Sequence, residues 1–553
     1  LGLTIKSKAK NKRKTLTGGN VTHIPRILIV DDDRITVKTL KFSLLKNDYL
    51  IDSCFSGMDA IELVKKNEYD LVLLDVVMPI MNGYEACTRI HEVVDELPVI
   101  LITANTEDEY LKEGFEVGAI DYLRKPINQV ELQARVKNIL RIRAAEKEKE
   151  DIYDKLRKEV KLAARIQENM LPKWVYLDDQ IIFSSHYVPS GDVGGDLFDW
   201  IKLDTHRYVA YVADISGHGV QAALLMTAIR NILKMFVENM RTDLHIPTLL
   251  NQLNQRLSLE LFDTNYMTII LGVIDTRLKQ FQFLNAGHPP LLEYNTVTKK
   301  TFIYNKKGSV PMGWDTEIKY TDDDIETLQL HDDSVILLYT DGLNESIDAA
   351  GNEFGIEGLR GIIENEINVE SCITFPFRLK DYMSKMNFDI KQDDFTLFCF
   401  QLQDDTNSQK DGVLTKKILF KVRSMLKDVG NTASTCEKKV LEWTGDSRLA
   451  SEIELVIDEF LNNIIIHGYN YKHDAIIVIE FSFGKNKIAM KFWDKGIEWV
   501  PANINYSREN PYSFEEDVFM ESGKGIHLVL SMVNCFSRMR FENINETIME
   551  IDL

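Results

Sequence analysis

Cysteine is scarce in this 553-residue chain, and the six that occur (Cys54, Cys87, Cys372, Cys399, Cys436 and Cys535) form no Cys-x-x-Cys pair. That scatter excludes a thiolate zinc module and a disulfide framework, and it fits reduced thiols in a cytoplasmic protein. No apolar run reads as a transmembrane span. Positive charge is in deficit, with 65 Lys and Arg against 85 Asp and Glu for a net charge of −20. This argues against non-specific nucleic-acid binding, and no basic recognition helix is present. The first 24 residues lack the apolar core of a signal peptide. Their basic run KSKAKNKRK (6–14) and Gly18-Gly19 read as a disordered tail. Residues 128–171 lack both Gly and Pro. A chain of this length is expected to divide into several domains of about 100–200 residues.

What is present is a series of acids at the ends of apolar strands. RILIVDDD (26–33) places Asp31 and Asp32 after one strand, and YDLVLLDVVMP (69–79) places Asp75 after a second. PVILITA (98–104) carries Thr103, and DYLRKP (121–126) carries Lys125 before a proline. In an open parallel sheet, ligands sit at the carboxyl ends of strands. Three carboxylates that close repel one another unless a cation lies among them, so the site asks for a hard ion such as Mg²⁺.

These motifs, with MNGYE (81–85) behind Met78-Pro79, resemble a response-regulator receiver over residues 25–143. The resemblance implies a flavodoxin-like α/β fold with Asp75 as phosphoacceptor. It also implies Mg²⁺ held by Asp31, Asp32, Asp75 and the Val77 carbonyl. Thr103 and Lys125 would sense the phosphoryl group, with Tyr122 as a rotating aromatic. The phosphodonor would be an upstream sensor histidine kinase.

The Gly- and Pro-free stretch is rich in Lys, Glu, Arg, Ala and Leu, which predicts one long helix with a linker over 144–171. A seam of alternating 3 and 4 spacing runs through Ile139, Ile142, Glu146, Lys149, Tyr153, Leu156, Val160, Ala163, Gln167 and Met170. Such a heptad predicts a two-stranded coiled coil and a homodimer through residues 130–170. The alternative is a single helix packed on its own domain.

From 172 to 403, acids again stand at strand boundaries: Asp196 in SGDVGGDLFDW, Asp214 in VADISGHG, Asp341 in YTDGLNES, and Asp393 and Asp394 in KQDDFTL. Carboxylates beside glycines, without a His/Cys ligand set, suit oxygen-loving divalent cations. Two such ions can activate a water and clamp a phosphoryl group. The order GGD, ADISGHG, TDG, DDFTL, preceded by ARIQENMLP (164–172), resembles the bacterial metal-dependent serine/threonine phosphatases of the PPM type, an αββα sandwich. The resemblance implies two Mn²⁺ or Mg²⁺ ions bridged by Asp214. Asp196 and the Ile215 carbonyl would complete one ion, and Asp341 and Asp393 the other. The role of Asp394 stays open, and His218 reads either as proton donor or as a local hydrogen-bonding residue. NAGHPP (285–290) reads as structural.

Residues 404–412 read as a polar linker, and 413–553 as a third domain. SEIELVIDEFLNNIIIHGYN (451–470) has helical periodicity that puts Glu459 and Asn463 on one face. KFWDKG supplies Asp494 and Gly496, and ESGKGIHLVL places Gly523 and Gly525 before an apolar helix, where phosphate oxygens bind well. This order resembles the GHKL ATPase sandwich, and NNIIIHGY resembles the anti-sigma-factor serine kinases. The resemblance implies Mg²⁺-ATP held by Asn463, Asp494, Gly496, Gly523 and Gly525, with Glu459 as general base. Glu498 stands where the family's second glycine would be.

The three resemblances in series imply a bacterial partner-switching regulator. Its phosphatase and kinase would act oppositely on an anti-sigma-factor antagonist, with a sigma factor as a further partner and Asp75 phosphorylation favouring the phosphatase. The alternative is a phosphatase whose last domain is a non-catalytic sigma-factor- or antagonist-binding module. A sensor histidine kinase is disfavoured, because no helical dimerisation element with an acceptor histidine precedes the ATPase region.

Overall fold

The computed structural model describes residues 24–45, 48–104, 114–217, 219–260, 266–304, 308–315, 317–347, 351, 353–367, 369–388, 393–403, 407–410, 413–498, 504–507 and 524–553. The chain divides into two compact units, Leu1–Lys158 and Glu159–Leu553.

In the first unit, five parallel strands lie in the order Leu50–Cys54, Arg26–Val30, Leu71–Asp75, Val99–Thr103, Asp121–Arg124. The central runs LVLLD and VILIT are buried throughout, as expected for strands covered on both faces. Parallel register brings the carboxyl ends of Val30, Asp75 and Thr103 to one edge. The helix Arg34–Leu44 starts at once after the first strand because Asp33 caps it, accepting from the Ile35 and Thr36 amides. The third acid of the triplet is thereby an N-cap.

A helix of 42 residues, Gln129–Met170, follows, begun by the Asn128 side chain accepting from the Val130 amide at 2.9 Å. The expected seam loses both its ends. Ile139 is 5% exposed inside the first unit's core, and Gln167 is 5% exposed in the second unit. Ile142, Tyr153 and Leu156 between them stay exposed.

The second unit opens with a sandwich of two antiparallel sheets. One has the order Glu326–Gln329, Gln280–Ala286, Met267–Asp275, Arg207–Ile215, Leu197–Lys202. The other runs Thr301–Tyr304, Leu291–Asn295, Ser334–Tyr339, Phe395–Leu402, Ile181–Val188, Val175–Leu177. Period-2 alternation assigns the layers. Along Arg207–Ile215, Tyr208, Ala210 and Val212 enter the core between the sheets, while Val209, Tyr211, Ala213 and Ile215 face the helices Val220–Asn239 and Ile246–Glu260. The helices Gly355–Asn365 and Phe375–Lys385 cover the other sheet.

One expectation needs correction. The helix Val220–Asn239 is long and apolar enough to cross a membrane by length and composition. Its Met226, Ile229, Leu233 and Val237 are instead core residues of the sandwich, and Arg230 pairs with Asp199 at 2.7 Å.

The last region is a seven-stranded sheet: Asn407–Lys410, Val413–Arg423, Ile476–Phe483, Lys487–Asp494, Ile544–Asp552, Cys535–Phe541, Ile504–Ser507. Part of the segment expected as linker, Asn407–Lys410, pairs antiparallel with Val413–Lys416. The sheet is apolar on both faces. Ile477, Ile479, Phe481, Met490 and Phe492 pack on the helices Leu426–Thr444 and Ser447–Asn463. Ile476, Val478, Trp493 and Ile544 join the sandwich's outer core with Phe377 and Val175. A polar clamp locks this seam: Glu546 accepts from Trp493 Nε1 at 2.8 Å and from Arg378 of the sandwich at 2.6 Å. Glu546→Ala leaves a buried indole N–H and a half-buried guanidinium without that acceptor. Urea unfolding should register a loss of roughly 3 kcal/mol in the second unit; an unchanged midpoint would mean the seam contributes nothing.

Candidate functional site

Three sites form at strand ends and helix starts. In the first unit, Asp31, Asp32 and Asp75 have carboxylate oxygens within 4.8 Å of one another. They are the one such acidic group among the described residues. Lys125 Nζ lies 2.8 Å from Asp75 and 3.1 Å from Asp31. Burial raises the Asp75 carboxyl above the usual range, opposed by the hydrogen bond from Lys125 and reinforced by Asp31. Thr103 is buried at the next strand end, and its carbonyl accepts from the Lys125 amide at 2.8 Å. Val77 is exposed beyond Asp75. Gly83 of MNGYE presses against the Asp75–Val76 backbone so closely that any Cβ would collide with it. That contact is why glycine follows the acid at this spacing.

In the sandwich, Asp196 is 1% exposed and accepts from Thr340 and Thr396 at 2.8 and 2.5 Å. Its carboxyl is pushed well up by burial and by the charges of Asp214 and Asp394. Asp214, at the end of its strand, is raised to about 7 by burial and by Asp341, Asp393 and Asp394. Asp341 begins a short helix and is raised to about 6 by burial, Asp393 and Glu345. The expected acids thus come together, with Asp393 exposed at the rim and Ile215 buried at the strand end. A set of hard oxygen donors that raise one another's pKa fits divalent cations.

Asp394, left open by the sequence, has an observed role. Its carboxylate accepts from the amides of Ser190 (2.7 Å), Gly195 (2.6 Å) and Asp196 (3.4 Å) and from the Ser190 hydroxyl (2.9 Å). It ties down the loop that carries Asp196. His218 lies outside the described residues. In NAGHPP, Asn285 accepts from the His288 amide and donates to its carbonyl, and His288 Nδ1 lies 2.8 Å from the Thr268 hydroxyl. The two threonines, Asp394 and Gln167 were missed as site residues. Thr340 sits one residue from Asp341 and Thr396 three from Asp393, which was the available signal.

In the last sheet, Glu459 and Asn463 end the helix Ser447–Asn463, which runs into a π-helical turn, Ile464–Gly468. Gly525, in the first turn of the helix Lys524–Met532, lies against both side chains, with no room for a Cβ. Asp494 is fully buried. Its Oδ1 accepts from the Gly496 amide at 2.7 Å and Asn545 Nδ2 at 2.9 Å. Asp494 Oδ2 and Asn463 Nδ2 have no hydrogen-bond partner among the described residues. Two buried groups without a hydrogen bond, one acceptor and one donor, fit a polar ligand such as Mg²⁺-ATP. Buried Arg538, not foreseen, stands 3.8 Å from Asp494. Gly523 lies outside the described residues. Glu498 is exposed.

Comparison with known proteins finds three family models in series along the chain. Residues 27–137 match the response regulator receiver domain, 204–403 the stage II sporulation protein E (SpoIIE) family, and 417–551 the histidine kinase-like ATPase domain. The chain therefore carries a response-regulator receiver, a SpoIIE-type PP2C phosphatase domain and a GHKL-like ATPase domain, in that order. Response regulator MprA of Mycobacterium sp. (strain KMS) is 40% identical over 116 residues, which are 21% of this chain and 50% of that protein. The chain spans about half the length of the curated relatives it matches. Among solved structures, the RsbU and RsbW domains from Mycobacterium tuberculosis align over 68% of this chain and 94% of theirs, at 19% identity and a TM-score of 0.36. The SiaA-PP2C domain of Pseudomonas aeruginosa aligns over 45% of this chain and 98% of its own, at 19% identity and a TM-score of 0.38.

The raised carboxyls give a pH signature. Their folded pKa values exceed the 3.8 of an ordinary aspartate. The folded chain therefore binds more protons than the unfolded one between 3.8 and about 7, and without metal, stability falls as pH rises through that window. Mn²⁺ bound among these carboxylates would replace those protons, so its lift of the thermal midpoint should grow from pH 5 to pH 8 in differential scanning calorimetry. A pH-independent lift would contradict the cluster's shared charge.

Proposed function

We propose that this chain is a receiver-controlled partner-switching regulator of a cytoplasmic pathway, dephosphorylating and phosphorylating one anti-sigma-factor antagonist. The observation that carries this reading is that half-buried Asp214 feels the charges of both buried Asp196 on one side and Asp341, Asp393 and Asp394 on the other. In the phosphatase, Asp196, Asp214, Asp341, Asp393 and the Ile215 carbonyl hold two divalent cations. When bound, these supply Lewis acidity toward water and phosphoryl oxygens. Water adds to phosphorus, the P–O bond to serine or threonine breaks, and the seryl oxygen takes the proton. Asp394, Thr340 and Thr396 hold the acids in place.

In the ATPase domain, Asn463 would hold Mg²⁺ on ATP, Asp494 would accept from the adenine amino group, and Gly496 and Gly525 would line the nucleotide. Glu459 accepts the proton of the substrate serine as its oxygen bonds to the γ-phosphorus and ADP leaves. The two activities oppose each other, so a switch is required to avoid futile ATP turnover. Phosphorylation of Asp75 by an upstream histidine kinase is that switch, with Lys125 and Thr103 around the new charge and Mg²⁺ on Asp31, Asp32, Asp75 and the Val77 carbonyl. The exposed Ile142, Tyr153 and Leu156 support a homodimeric coiled coil between the receiver and the phosphatase. The domain limits follow the sequence reading: receiver 25–143, helical linker 144–171, phosphatase 172–403 and kinase 413–553.

A second reading makes the last domain a sigma-factor- or antagonist-binding module without turnover, favoured by Glu498 at a position usually held by glycine. Two variants separate the readings. Asp214→Asn should reduce Mn²⁺-dependent hydrolysis of a phosphoserine substrate by at least 100-fold and spare ATP-dependent serine phosphorylation. Glu459→Ala should do the reverse, by at least 100-fold. Absence of any phosphoserine formation by the wild-type chain would leave the binding-module reading in place.

A further inference from the structure

The long helix Gln129–Met170 reaches the sandwich through one buried polar side chain. Gln167 is 5% exposed, while Arg165, Ile166, Glu168 and Asn169 around it face solvent. Its Nε2 donates to the Gly194 carbonyl at 2.6 Å, and its Oε1 accepts from the Gly194 amide at 3.3 Å. One side-chain amide thereby satisfies both backbone polar groups of a single residue. That residue lies two positions before Asp196. The next amide, Gly195, donates to Asp394 at 2.6 Å. The loop is held from the helix side by Gln167 and from the strand side by Asp394.

Gly194 cannot slip within this grip. A Cβ there would overlap Asp394 Oδ2 and the Tyr187 hydroxyl oxygen. Any displacement of the helix along its axis must either drag the loop or break both bonds. Breaking them would strand a buried N–H and a buried carbonyl. Moving the loop moves Asp196, whose carboxylate is fixed at its other end by Thr340 and Thr396. Partners of this kind, which orient a metal ligand without touching the metal, commonly change metal affinity 10- to 100-fold when removed.

We infer that Gln167 is a positioning residue of the phosphatase, through which the long helix sets the place of Asp196 and hence the affinity for the metal on that side. The inference rests on the phosphatase reading and adds to it the point where the helix acts. Nothing in the sequence pattern assigns Gln167 this role; the heptad seam would put it in a dimer interface.

The test uses the full chain carrying Asp32→Asn, which takes an acid out of the receiver cluster so that Mn²⁺ reports on the phosphatase. Free Mn²⁺ is followed by electron paramagnetic resonance during titration. Gln167→Met, which keeps the length and loses both bonds, should weaken Mn²⁺ binding by about tenfold or more. It should also lower kcat on an aryl phosphate at limiting Mn²⁺, leave KM unchanged, and recover activity at high Mn²⁺. Ile166→Ala, one residue away on the exposed face, should change none of these. If Gln167→Met does not fold by circular dichroism, Gln167→Glu replaces it, since it accepts from the Gly194 amide but has no proton for the carbonyl. Equal Mn²⁺ affinity in wild type and a folded Gln167 variant would overturn the inference. Failure of the metal reading itself looks different: Asp196→Asn would then bind Mn²⁺ as well as wild type.

Discussion

Like charges brought together at strand ends are the constraint on which this molecule's chemistry depends. Buried Asp196 and half-buried Asp214 and Asp341 are drawn toward one another by three strands whose apolar residues have nowhere else to go. Burial first, and then the neighbouring carboxylates, raise their pKa values instead of leaving them to ionise freely. A divalent cation relieves that repulsion better than protons do at neutral pH. The receiver repeats the arrangement on a smaller scale, with Lys125 already supplying one positive charge between Asp31 and Asp75. In both places the fold's free energy, not local attraction, holds the acids together.

The ATPase sheet shows a second economy. Adjacent residues of one strand serve opposite purposes, because a strand's side chains alternate between faces. Trp493 packs into the sandwich and bonds Glu546, while Asp494 lies on the other face with Asn545 and Arg538. Lys495 returns to the sandwich side, over the rings of Phe377 and Trp174 at 4.5 and 5.8 Å, and burial lowers its pKa to about 8. Phosphatase and ATPase domains therefore share a core and belong to one compact unit.

The strand-end acids were legible because their signals are local: an apolar run with an Asp at one end of it. The three folds followed from the order of such signals. What stayed hidden is non-local. The sequence left the role of Asp394 open, and its oxygens prove to be taken by backbone amides some 200 residues away. Arg538 reads as an ordinary strand residue and is 1% exposed beside Asp494. The long helix was legible in its composition, but a heptad period alone does not say which positions a neighbouring domain claims. Ile139 and Gln167 were taken by cores at either end. Val220–Asn239 escaped notice because its apolar residues are interrupted by Arg230, Lys234 and Glu238, and only packing explains its face.

The central claim is that the charge state of Asp75 governs the carboxylate site of the phosphatase. The most direct measurement is Mn²⁺-dependent hydrolysis of an aryl phosphate by the full chain, with and without beryllofluoride as a mimic of phospho-Asp75. The account predicts stimulation by beryllofluoride in the wild type and none in Asp75→Ala. Equal rates with and without beryllofluoride in the wild type would contradict it.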